Sequence, residues 1–165
     1  MIGLRGEYEF YQGGKVVGDK VVGGKLVYHF SNIVCTPVYE YILKSLNYSK
    51  ELEEGTPPGV SDIDVSYFAF GTGTTGVTEA DTLLETEYFR KYVTSKDKSL
   101  SGKQFVAICQ LATSEANFTI TEVGVFSGGS ATPDTGTLLS HALKSIVKNS
   151  NITYNIIYRL TLEEV

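Results

Sequence analysis

The sequence predicts a mainly β fold: an antiparallel β-sandwich or jelly-roll-like domain with one short helix near residues 37–46. Three observations carry this. The chain holds 11 Tyr and 8 Phe, with many Thr and Val, side chains that suit a half-buried pleated surface. About eight or nine apolar runs of strand length recur at hairpin spacing. The segments between them are rich in Gly, Asn, Asp and Ser, which make turns. The length of 165 residues fits one domain, 1–165. A domain of this size buries roughly 70% of its unfolded surface and needs no disulfide or metal staple.

The elements follow in order. Residues 4–11 alternate, with Leu4, Gly6, Tyr8 and Phe10 on one side and Arg5, Glu7, Glu9 and Tyr11 on the other. Gln12-Gly13-Gly14-Lys15 reads as a turn and 16–22 as a second strand, which makes a hairpin. Gly23-Gly24 turns into a short third strand, 25–30. The helix follows: Thr36 caps it, Pro37 takes the first helical position, and Val38, Tyr41, Ile42 and Ser45 share a face that Leu43 and Leu46 widen. Residues 47–60, acidic and proline-containing, read as a solvated loop. A strand at 63–70 runs into a glycine loop, and a second at 88–94 follows it. Residues 95–102 read as a polar turn. Four more strands are expected at 103–111, 118–126, 137–147 and 152–162. Gly124, inside the run Glu122-Val123-Gly124-Val125-Phe126, marks a bulge or close packing.

Totals exclude several functions. The formal net charge is −5 and no basic block exists, so the footprint of a direct nucleic-acid surface is missing. Cys35 and Cys109 are the only cysteines, too few for a disulfide framework or a zinc site, and read as free thiols in a reducing compartment. The first ten residues alternate in polarity, unlike a signal peptide. No run approaches the ~18 apolar residues of a membrane-spanning helix.

The glycine loop offers the one enzyme motif. Gly71, Gly73 and Gly76 spell GxGxxG after a strand, and Asp97 lies near the spacing of a ribose-binding acid. Three features oppose a nucleotide. The segment after Gly76 is short. Glu79, Asp81, Glu85 and Glu87 would repel a polyphosphate. No strand–helix alternation follows to build a parallel sheet. A Walker loop is excluded because no Gly-Lys-Ser/Thr follows the glycines. His29 and His141 lack the nucleophile elbow and companions of a hydrolase and read as structural. Asp62 and Asp64 lack the remaining ligands of a calcium loop. No catalytic residue, cofactor or metal is therefore assigned.

The same stretch, Tyr67-Phe68-Ala69-Phe70-Gly71-Thr72-Gly73-Thr74-Thr75, then Thr78-Glu79-Ala80-Asp81-Thr82-Leu83-Leu84-Glu85-Thr86-Glu87, then Arg90-Lys91, resembles a pattern of small tail-associated structural proteins of tailed bacteriophages. In those a strand ends in GTGTT, a loop of the form T-x-x-D-T-x-L-x-x-E follows, and a basic residue opens the next strand. Ile120-Thr121-Glu122-Val123-Gly124-Val125-Phe126 is similar to their I-x-E-V-G-L/V-F strand. Gly136-Thr137-Leu138-Leu139-Ser140-His141-Ala142 is similar to their G-x-L-L-x-R strand, with His141 in place of the usual arginine. The N-terminal Gly6-Glu7-Tyr8-Glu9-Phe10-Tyr11 hairpin followed by a helix also matches.

The resemblance implies a non-enzymatic virion component of the tail, baseplate or fibre-attachment region, assembled in the bacterial host cytoplasm. Its expected partners are other virion proteins and copies of itself, as a ring or trimer, with no direct nucleic acid and no membrane. A capsid decoration or head–tail connector protein is the alternative within that class. A host surface glycan-binding module, using Tyr88 and Tyr92, is the alternative outside it. Gly71, Gly73, Thr75, Asp81, Glu87, Arg90, Glu122 and Gly124 are expected to form a structural loop, with Asp81 and Glu87 pinning local backbone and Arg90.

Overall fold

Alternating polarity builds the first strand, β1 (Ile2–Gln12). Tyr8 and Phe10 are fully buried, whereas Arg5 points to solvent. The computed structural model describes residues 2–42 and 64–164. After β1 come β2 (Lys15–Val17), β3 (Lys20–Val22), β4 (Lys25–Val34), β5 (Val65–Gly71), β6 (Glu87–Tyr92), β7 (Lys98–Ser101), β8 (Gln104–Leu111), β9 (Thr119–Ser127), β10 (Thr137–Val147) and β11 (Tyr154–Glu164). Nine of these form one curled antiparallel sheet in the order β6-β5-β9-β10-β4-β1-β11-β8-β7.

β4 is the corner of this sheet. Its first part pairs with β1, from Gly6↔Asn32 to Gln12↔Lys25. Its last two residues pair with β10, as Ser140↔Val34 and His141↔Ile33. The sheet thus folds into two layers that share β4, and their inner faces meet. Phe68 of β5 lies 6.5 Å from the rings of both Tyr8 and Tyr158. The Tyr8 hydroxyl meets the Ser140 hydroxyl at 2.7 Å. Phe10, Phe70, Ile120, Val125, Ile146 and Ile156 complete a core contributed by both layers. This is the mainly β, sandwich-like class expected from the sequence. Each such buried side chain contributes about 1.5–3 kcal/mol against exposure.

Several boundaries differ from expectation. The second strand does not pair with β1. Residues 15–22 fold on themselves as β2 and β3, with Gly18 in the left-handed region between them. This small hairpin lays Val16 and Val21 over Val106, Ile108 and Ile157 on the outer face of the sheet. The partners of β1 are β4 and β11, which come from much farther along the chain.

The expected polar turn at 95–102 contains a 3-10 turn, Ser95–Asp97, and then the edge strand β7. Its four residues, KSLS, carry one apolar side chain and so show no alternation to read. Helix is present at 36–42, while 43–46 and the expected loop 47–60 lie outside the described residues, as do Asp62 and Ile63. The Thr36 hydroxyl donates to the Glu79 carbonyl at 3.0 Å. Among the described residues no helix is long and apolar enough to cross a membrane.

Candidate functional site

Residues 72–86 form an extended loop with no helix. On the outer face of the sheet one carboxylate takes three of the loop's amides, beside the Thr121 hydroxyl, which donates to the Gly73 carbonyl, and Thr36, whose amide and hydroxyl donate to the Glu79 carbonyl. Glu122 lies on β9 and is fully buried. Its Oε1 accepts the Gly73 amide at 2.9 Å and the Thr86 amide at 2.7 Å. Its Oε2 accepts the Glu85 amide at 2.9 Å. A charged side chain on a buried strand face must find such partners, because desolvation otherwise removes the charge.

The imidazole of His141, on β10, extends the network. Its Nε2 lies 3.2 Å from Glu122 Oε2 and its Nδ1 lies 2.8 Å from Asp81 Oδ2. Asp81 in turn accepts the Thr78 amide at 3.0 Å and hydroxyl at 2.7 Å. Burial disfavours charge on the ring, but the hydrogen bonds to Glu122 and Asp81 outweigh it, so the His141 pKa is raised. Burial likewise opposes the charge on Glu122, yet His141 and the three amides hold its pKa below the ordinary carboxylate value. The result is a carboxylate–imidazole–carboxylate chain, buried at Glu122 and His141 and partly exposed at Asp81, that favours the protonated ring.

The glycine loop closes on a second carboxylate. Glu85 Oε2 accepts the amides of Thr74 and Thr75 at 2.6 and 2.8 Å, and its Oε1 accepts the Thr75 hydroxyl at 2.7 Å. The amides that would cradle a phosphate in a nucleotide loop are thus occupied by the chain's own acids. The glycines serve this closure. A Cβ on Gly71 would strike the Thr86 carbonyl and Glu122. One on Gly73 would meet Glu85 Cβ at 2.5 Å. One on Gly124 would meet Leu84 Cδ2 at 2.8 Å and Leu138 Cδ1 at 3.0 Å. Leu84 anchors the loop in a small cluster with Cys35, Ala69, Phe126 and Leu138.

Glu87 and Arg90 make a neighbouring anchor. The guanidinium donates to Glu87 through Nε at 2.5 Å and NH2 at 2.7 Å. Its NH1 donates to the carbonyls of Ser130 and Thr135 at 3.0 and 2.9 Å, which ties down the 128–136 loop. The same group lies over the rings of Phe126 and Tyr67, at 4.8 and 5.3 Å from their centroids. Burying this pair is tolerable because the guanidinium fork is matched donor by donor.

Of the eight residues expected in a structural loop, Gly71 and Gly73 lie against the Glu122 carboxylate, Asp81 reaches it through His141, Gly124 leaves room for Leu84, and Thr75 is held by Glu85. Glu87 holds Arg90. Asp81 does not reach Arg90 and holds His141 instead. Asp97 closes the 3-10 turn by accepting the Thr94 amide at 2.8 Å. His29 is exposed beside Glu7 at 3.4 Å. Asp64 pairs with Lys98 at 2.6 Å. The residue that sequence reasoning undervalued is His141. The available signal was its place, with Glu122, inside an otherwise apolar strand, where a lone charge demands a partner.

Chemically the arrangement is a clamp. Each ring nitrogen of His141 is engaged by a carboxylate, so neither is free to accept a substrate proton. Cys35 is buried, and burial followed by the charges of Asp81 and Glu79 pushes its thiol pKa to about 12, far from a reactive thiolate. Among the described residues no group of His, Cys, Asp and Glu has the arrangement of a metal site. Comparison of the chain with protein-family models gives no match, and comparisons with curated proteins and with solved structures give none either.

Proposed function

We propose that this chain is a non-enzymatic structural component of a bacteriophage virion, in the tail, baseplate or fibre-attachment region, and that it acts through protein–protein assembly. The observation that carries the assembly reading is the pair of outermost strands, β6 and β7, at the ends of the nine-stranded sheet. Tyr88 and Tyr92 on β6 are 66% and 59% exposed, and Leu100 on β7 is 77% exposed. Sheet edges offer backbone hydrogen bonds to another chain, and large apolar side chains on an edge favour such pairing. The saturated clamp at Glu122 supports a scaffold role for the most polar buried region. The virion assignment rests on the spaced motifs from Tyr67 to Arg90, from Ile120 to Phe126 and from Gly136 to Ala142.

The test is the mass of the purified chain in solution across a concentration series, with electron microscopy of immunolabelled phage particles. A ring or trimer, together with label on the tail, supports the reading. A chain that stays monomeric and binds no virion component overturns it. The exposure of Tyr88 and Tyr92 also favours a second reading, a glycan-binding face, since exposed aromatic rings stack on sugars. A glycan array without a hit removes that reading and leaves the first intact.

A further inference from the structure

We propose that the 72–86 loop is a proton-gated flap, latched to the sheet while His141 donates from both ring nitrogens and released when the ring loses one proton. The inference does not depend on the virion reading. It rests on how the latch is wired. Three of the bonds that fasten the loop, from the amides of Gly73, Glu85 and Thr86, end on Glu122, while Thr121 and Thr36 hold the Gly73 and Glu79 carbonyls independently. Glu122 and Asp81 are in turn the two partners of the His141 ring.

A neutral imidazole has one N–H. Whichever nitrogen keeps it, the lone pair of the other faces a carboxylate oxygen, at 2.8 Å from Asp81 or at 3.2 Å from Glu122. Glu122 and His141 are buried, so water does not relieve the contact between them, whereas Asp81 is partly exposed and can turn to solvent. One carboxylate must turn away. If Glu122 turns, three loop amides lose their acceptor. If Asp81 turns, the Thr78 end of the loop is freed. In the first case Leu84 also loses the anchored Glu85 amide next to it in the chain.

The other ionisable groups around this chain favour the same direction. Glu85 lies beside Glu122, and Glu79 and the Cys35 thiol lie beside Asp81. The carboxylates of Glu85 and Glu79 add to the repulsion once the ring between Glu122 and Asp81 is discharged, whereas the Cys35 thiol, its pKa pushed to about 12, stays neutral. Burial opposes charge on the ring, but its bonds to Glu122 and Asp81 outweigh this and raise its pKa in the latched state. The latch is therefore fully set below the released-state value of about 6.5. It then weakens about tenfold per pH unit until the pH passes the raised latched-state value.

The experiment is amide hydrogen exchange of the whole chain from about pH 6 to about pH 10, spanning the ordinary histidine range and beyond. Exchange is expressed as protection factors corrected for intrinsic rates, with β8 and β11 as internal references. The His141 and His29 rings are titrated in parallel by NMR. Protection of 72–86 is expected to hold level below about pH 6.5, to fall about tenfold per pH unit above it, and to level off at the His141 titration, while the reference strands stay protected. In His141→Gln the loop is expected to be open already at low pH and to show no step. In His29→Gln the step is expected to persist. Loop protection that stays constant through the His141 titration overturns the proposal. So does a step that His141→Gln retains, or one that β8 and β11 share. If His141→Gln fails to fold, the unaltered chain decides the matter: a fall in loop protection that levels off at the His141 titration supports the proposal, and one that continues beyond it overturns it.

Discussion

Replacing Glu122 by glutamine should be among the most destabilising isosteric changes in this protein. The side chain keeps its shape and one oxygen. Placed as Oε1, that oxygen still accepts the amides of Gly73 and Thr86. The new NH2 group then faces the Glu85 amide, which donates to Oε2, and His141 Nε2, which donates there when the ring is protonated. Two donors now oppose a donor. Each buried group left without a partner costs about 1–3 kcal/mol, so the expected loss is about 2–5 kcal/mol once partial relaxation is allowed. Domains of this size hold about 5–15 kcal/mol in total. The loss corresponds to a fall in Tm of about 5–15 °C.

Urea unfolding followed by circular dichroism measures this directly, and an unchanged slope would confirm that the folded state is otherwise intact. Glu85→Gln provides the contrast. It disturbs bonds of the same kind to Thr74 and Thr75, but at an exposed site, and should cost clearly less. A Glu122→Gln variant within about 1 kcal/mol of the unaltered protein, or no worse than Glu85→Gln, would refute the claim that this carboxylate holds the loop.

Gly124→Ala should cost about 1–3 kcal/mol by overpacking, because the added methyl displaces Leu84 and Leu138; urea unfolding reads the loss, and exchange should show it concentrated in 72–86. Arg90→Met leaves the fully buried Glu87 carboxylate without its partner and should cost about 3–5 kcal/mol, part of which Glu87→Gln in the same chain restores; denaturation of the single and double variants checks this. The pH profile should also have an acid limb. Burial opposes the charges of Asp81, Glu115 and Glu122, yet hydrogen bonds from Thr78 and His141, from Lys91 and Ala112, and from His141 with the three loop amides hold their pKa values low. Their contribution is present above the unfolded carboxylate value of about 4 and is lost as pH falls through the folded values; thermal unfolding across that range measures it. Substituting Leu100→Lys on β7 should weaken self-association without changing unfolding, which sedimentation at several concentrations would show.

Much of the fold was legible because strand periodicity is local. The alternation of Leu4, Gly6, Tyr8 and Phe10 assigns one face of β1 to the core with no knowledge of its partners. The strand runs around Phe68, Cys109, Val125 and Ile156 are readable for the same reason. Pairing is not local. Nothing in residues 16–22 says that they fold back on themselves and leave β1 to β4 and β11, since those partners are distant in sequence. The edge strand β7 is four residues with one apolar side chain, too short and too polar for its period to register.

The glycine loop shows the same division most clearly. Composition and order alone argued that Gly71, Gly73 and Gly76 do not hold a nucleotide, because acids crowd the segment and no parallel sheet follows. Those are properties of neighbouring residues. That Glu122 accepts three loop amides, that His141 bridges it to Asp81, and that Gly124 leaves room for Leu84 depend on β9 and β10 lying under residues 72–86. Such contacts join positions 19 to 60 residues apart. The sequence by itself determined which side chains must be buried or paired, because desolvation acts on each residue alone. Only the tertiary structure decided the pairs, because a hydrogen bond needs two groups that the chain must first bring together.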